Sequence, residues 1–149
     1  MRLRHRERGS EGFAGGFAGL LFGFLIFLVG TLIVAYAWSV VETKAAVVDA
    51  ARQAARTYVE APDAGTALVE ARQAADGSLS LRGRDPRSAT VALSSGSFGR
   101  CERITISVSY PAPSLRLPVV HALGGSPVRA EHSEIVDPFR SGLVGSAAC

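Results

Sequence analysis

The chain has 149 residues, 48% of them hydrophobic, and a formal net charge of +3 from 16 basic and 13 acidic side chains. That length accommodates one modest folded unit and a short extension, not several domains. The basic excess does not describe a nucleic-acid binder: Arg2, Arg4, Arg6 and Arg8 crowd the start, the chain beyond Glu11 holds twelve basic against eleven acidic residues, and no basic stripe or aromatic platform follows.

Residues 1–11 read as a basic cytoplasmic leader. From Gly12 to Val41 there is no Asp, Glu, Lys or Arg. A helix needs about twenty apolar residues to cross a bilayer, so 12–41 reads as a transmembrane helix. The preceding arginines place its N-terminal side in the cytoplasm and the rest outside. A cleaved signal peptide is the other reading, with Ala35-Tyr36-Ala37 as a small-x-small site. Against it, the apolar run exceeds an ordinary signal core of roughly 7–15 residues, and the helical pattern continues through the supposed cut.

Gly15, Gly19 and Gly23 form a ladder at four-residue spacing, with Gly12 and Gly16 beside it. Two readings stand: a close-packing face for another helix, or the ordinary glycine enrichment of membrane helices.

Residues 42–76 read as an amphipathic extension and a second short helix. Val47, Val48, Ala51, Ala54, Ala55, Tyr58 and Val59 share one face, and Glu42, Asp49, Arg52, Arg56 and Glu60 the other. Nothing breaks the helix before Pro62. The pattern therefore predicts one helix from about Gly12 to Ala61. A second helix is predicted over Ala64–Asp76, with Asp63 as N-cap and Gly77 as its stop.

Residues 77–149 read as an extracytoplasmic β-sheet region. Leu79 and Leu81 alternate with serines, and Val91 and Leu93 follow. Arg103–Tyr110 is the clearest strand, with Ile104, Ile106, Val108 and Tyr110 on one face. Leu115 and Leu117 suggest an edge strand ended by Pro118, and Val128–Val136 a last one. The expected fold is α+β: a long N-terminal transmembrane and amphipathic helix packed on a small antiparallel sheet of three to five strands.

Cys101 and Cys149 both follow the apolar run. In an oxidising exterior they can pair, and closing that loop contributes about 4 kcal/mol in the chain-entropy model. Two unpaired thiols are the alternative. His132 with Glu134 and Asp137 suggests a metal cluster, but the spacing matches no zinc motif, and a surface or structural role fits His132 and His121 better. No nucleophile elbow, phosphate-binding loop or paired carboxylates are identifiable. No catalytic residue, metal or cofactor is expected.

The order Arg8-Gly9-Ser10-Glu11 before the apolar run, the helix ending AARQAARTYVEA (Ala50–Ala61), and the stretches ISVSYPAP (Ile106–Pro113) and AEHSEIVDPFRSG (Ala130–Gly142) together resemble TadE-type proteins of the tight-adherence (Tad, or Flp) pilus apparatus, in their actinobacterial form. The resemblance spans nearly the whole chain. It implies a pilin-like fold and a non-catalytic minor pilin or pseudopilin, working with pilin subunits and Tad assembly-platform proteins at the membrane and in the pilus. It implies a prepilin peptidase cut after Gly9, and a charge role in assembly for Glu11. The usual pattern places the glutamate five residues after the glycine, where this chain has Ala14, and Glu11 stands two residues after it. That departure favours a second reading: a single-pass, membrane-anchored binding or scaffold protein of a secretion complex that never enters a filament.

Overall fold

The computed structural model describes residues 11–114, 125–146 and 149, with side chains from residue 16 onward in the first helix. The basic leader with Gly9, the expected strand at Leu115–Pro118, and His121 lie outside the described residues. The protein is α+β: two helices, a single 3-10 turn and a three-stranded antiparallel sheet. It divides into two units between Trp38 and Ser39.

Helix α1 spans Glu11–Glu60 without interruption. Two of its threonine hydroxyls stay inside the helix's own hydrogen bonding. Thr31 Oγ1 donates to the Phe27 carbonyl at 2.9 Å and Thr43 Oγ1 to that of Ser39 at 2.7 Å. Each polar atom is thereby satisfied four residues back, which matters most for Thr43, since it is buried.

Helix α2 spans Ala64–Leu81. Asp63 caps it as expected: its carboxylate accepts from the Gly65 N–H at 2.8 Å and the Thr66 N–H at 3.0 Å. Its C-terminal end differs from expectation, because the helix passes through Gly77 and takes in Leu79 and Leu81. Ala67, Ala71, Ala75 and Leu79 recur every four residues and are all buried. Burying Leu79 is worth about 1.5–3 kcal/mol, more than the roughly 1 kcal/mol that glycine costs inside a helix. The real stop is Gly83, whose φ of +66° suits a residue without Cβ. There the Gly83 N–H donates to the Ser80 carbonyl at 2.9 Å and the Arg84 N–H to that of Leu79 at 3.0 Å. The leucine–serine alternation at 78–81 is the outer turn of an amphipathic helix, not a strand.

After the 3-10 turn Pro86–Ser88 come β1 (Thr90–Ser95), β2 (Arg103–Tyr110) and β3 (Val128–Ile135), in spatial order β1-β2-β3. Val91 stands opposite Val108, and Leu93 opposite Ile106. On the other side Val108 faces Ala130, and Ile106 faces His132. Side chains alternate across a sheet, so Ile104, Ile106 and Val108 project to one face, where they are fully buried. Ala46, Val47, Ala50, Ala51, Ala54, Ala55 and Tyr58 of α1 join them in one core with the α2 stripe. The amphipathic half of α1 thus covers the sheet, as its pattern required. Most of its buried positions are alanines, whose small side chains let a helix backbone lie close to its neighbours.

Ion pairs join α1 to the turn that follows α2. Arg82 pairs with Asp49, and Arg84 approaches Glu42 at 3.9 Å. Exposed pairs of this kind are worth about 0–1 kcal/mol each. The sole lysine, Lys44, donates to the Arg129 carbonyl at the start of β3.

Candidate functional site

The apolar half of α1 is the most unusual surface of the molecule. Its most apolar eighteen-residue stretch has a mean hydropathy of 2.6, and none of it is buried. Phe17, Leu20, Phe22, Phe24, Leu25, Ile26 and Phe27 are all exposed. They are spread all around the helix, and none of them is buried among the described residues. The helix is long and apolar enough to cross a membrane. A backbone in lipid needs its hydrogen bonds satisfied internally, and a continuous helix provides them.

The glycine ladder lies on this surface. A Cβ added at Gly16, Gly19 or Gly23 would meet nothing within 4 Å. Among the described residues no packing contact requires glycine at these three positions. Gly15 belongs to the same helix, as does Glu11 at its first residue. Tyr36 and Trp38 stand at the far end of the apolar run, just before Glu42 and Lys44. Trp38 is 66% exposed. An apolar ring with a polar N–H suits the boundary between hydrocarbon and water. Sequence reasoning passed over this pair, although its position at the edge of the uncharged run was the available signal. Farther along α1, Val40, Val41, Ala45 and Val48 line an open apolar groove flanked by Lys44 and Asp49.

A second constellation gathers at the end of α1. Cys101 and Cys149 are joined by a disulfide, with their Cα atoms 5.3 Å apart. Arg140 reaches the last carbonyls of α1, donating through Nη1 to Val59 at 2.7 Å and through Nη2 to Glu60 at 3.3 Å and to Ala61. Its guanidinium also lies over the Phe98 ring, 5.5 Å from the centroid. Phe98 in turn meets Tyr58 edge-on at 5.7 Å. Burial pushes the Tyr58 phenol above its usual pKa. The turn at Asp137–Arg140 aims Arg140, because the Asp137 carboxylate accepts the Phe139 N–H at 2.8 Å. Nothing in the residues around Arg140 announced this role. The one hint was that the last turn of α1 carries no basic residue of its own.

The histidine cluster considered from sequence does not converge. His132 Nε2 lies 3.1 Å from a Glu134 carboxylate oxygen, while the Asp137 carboxylate accepts the Phe139 N–H. Among the described residues no group of three His, Cys, Asp or Glu side chains is placed to hold a metal. A shallow cleft between α2 and the entry to β1 is lined by Arg72, Asp76, Arg87 and Thr90 over Pro86 and Val91. Among the described residues neither Arg72 nor Arg87 has an ion-pair partner. The cleft presents the Arg72 and Arg87 cations to solvent.

No family model, curated protein or solved structure matches this chain. The functional reading therefore rests on the residues and geometry above.

Proposed function

We propose that the protein is a TadE-like minor pilin or pseudopilin that acts, without catalysis, in the assembly of a type IV (Tad/Flp) surface pilus. The observation that carries this reading is the division of labour along α1. One uninterrupted helix, Glu11–Glu60, exposes large apolar side chains in its first half and covers a small antiparallel sheet with its second. That division of labour is what a pilin-like subunit needs, and it supports the reading. In this reading the chain is a single-pass protein of the cell membrane, N-terminus in the cytoplasm and sheet unit outside. A prepilin peptidase cuts after Gly9, Glu11 supplies charge at the new end, and the face of Gly15, Gly19 and Gly23 packs against pilin helices or the Tad assembly platform.

N-terminal sequencing of the protein from membrane and from sheared pili tests the proposal. A chain beginning at Ser10 in the pilus fraction is the expected result. An intact Met1 there argues against processing, and a start at Trp38 in exported protein replaces the anchor with a signal peptide.

A second reading is a membrane-anchored binding or scaffold protein of a secretion complex. The open cleft with Arg72 and Arg87 favours it, since unpaired guanidinium groups suit an acidic ligand. It predicts detergent-extracted complexes and no protein in sheared pili.

A further inference from the structure

The carbonyl end of α1 has a cap that belongs to a distant part of the chain. The last carbonyls of a helix lack partners within it and carry partial negative charge. Here Arg140 supplies both hydrogen bonds and positive charge, through its contacts to Val59, Glu60 and Ala61. Among the described residues the segment that carries Arg140 has no strand or helix of its own from Val136 onward. It is held instead by the loop between β1 and β2. The Val136 N–H donates to Glu102 O at 3.0 Å, and the Cys101 N–H to Val136 O at 3.1 Å. Arg100 Nε donates to the carbonyl of Arg140 itself at 2.9 Å, and the Arg100 N–H to Val144 O at 2.9 Å. The approach at this point is close: a Cβ at Gly145, whose φ is +116°, would sit 3.1 Å from Arg100 O. The residue after Arg100 is Cys101, and its bond to Cys149 closes the far end of the segment. Cys101 also holds a φ of +58°, an unfavourable conformation for a residue with a Cβ. Such a conformation persists only where its surroundings enforce it.

We propose that the Cys101–Cys149 disulfide is an oxidation-set latch for this remote helix cap. Closed, it ties Val136–Cys149 to the β1–β2 loop and holds the Arg140 guanidinium on the end of α1. Opening it frees the far end of the segment, loosens Arg100 from Arg140 and Val144, and lets the last turn of α1 fray while the sheet stays paired. The chemistry is thiol–disulfide exchange. Two thiolates of a dithiol attack in turn, the Cys101–Cys149 bond breaks, each cysteine takes up a proton, and the dithiol leaves as a disulfide. Closure is the reverse, with a partner disulfide as oxidant. The latch operates whether or not the chain enters a filament.

Amide hydrogen exchange on the full chain in detergent micelles tests it. The forms compared are the oxidised protein, the protein reduced with dithiothreitol, the Arg140→Gln variant, and that variant reduced. Reduction and Arg140→Gln are each expected to speed exchange at Tyr58–Glu60 about tenfold, leaving Ile104–Val108 of β2 within about twofold. Reducing the variant is expected to add nothing further at Tyr58–Glu60. An unchanged last turn on reduction overturns the proposal. So does equal acceleration in β2, which would make the disulfide a staple for the whole unit, and so do multiplying effects, which would mean that Arg140 is held independently. The Cys101→Ser/Cys149→Ser variant must reproduce the reduced pattern without dithiothreitol.

Discussion

The two units, before and after the Trp38–Ser39 boundary, invert each other's use of side-chain size. Before the boundary, phenylalanines, leucines and isoleucines are exposed and glycines lie among them. After it, helix α1 buries mainly alanines and turns its charges outward. A soluble core rewards burial of apolar area, and alanine offers little of it. Apart from Val47 and Tyr58, the larger buried side chains come from elsewhere, chiefly Leu79, Ile104, Ile106 and Val108. The second half of α1 therefore acts as a smooth surface on which other elements place their bulk. Among the described residues the large apolar side chains of the first half stay exposed, on a helix long and apolar enough to cross a membrane.

The sharpest way to break this comparison is to damage one unit and watch the other. Ile106 is fully buried at the centre of the sheet, so Ile106→Ala should remove about 2–5 kcal/mol of stability from the sheet unit. Denaturant titration in mild detergent measures this, and carbonate extraction should leave the chain in the membrane as before. The converse change is Ile26→Arg on the exposed apolar surface. A charge at the centre of a spanning helix disfavours insertion by about 2.5–3.5 kcal/mol. Membrane fractionation should show lost insertion, while the sheet unit's denaturation midpoint in detergent stays put.

A smaller effect sharpens the reading of α2. Gly77 lies inside the helix with nothing within 4 Å of an added Cβ. Gly77→Ala should raise stability by about 0.5–1 kcal/mol. A loss of stability would show that this position needs glycine after all. The smallest expected effect is a pH dependence from Tyr58, whose folded-state pKa is raised by burial. Its contribution is fully present below the unfolded phenol's value of about 10 and is lost as pH rises through the higher folded value. Denaturation midpoints between pH 9 and 11 (roughly the range of phenol titration) should fall more steeply for the native chain than for Tyr58→Phe.

Much of the fold was legible because it follows short-range periodicity. The uncharged run, the i,i+3/i+4 face of Val47–Val59, and the strict alternation of Ile104–Tyr110 each identify an element by itself. The error at Leu79 came from the same source. Over four residues, Leu-Ser-Leu alternation suits a strand as well as the outer turn of a helix, and only the buried position of Leu79 beneath Ala75 decides between them. Of the candidate site, the apolar surface, the glycine ladder and the pair of cysteines were visible in the sequence. The position of Trp38 at the edge of the uncharged run was visible and overlooked. Arg140 was not visible, because its partners lie about eighty residues away and are backbone carbonyls that leave no mark in side-chain spelling.

The sequence by itself thus determined the long helix, its apolar half and its amphipathic half, since hydropathy and periodicity act within a few turns of chain. Tertiary structure alone decided where α2 stops, which cysteine geometry is realised, and what closes the end of α1. Those outcomes depend on the company a residue keeps after folding. Leu79 finds the core, Cys101 finds Cys149, and Arg140 finds three carbonyls that no neighbouring side chain was placed to satisfy.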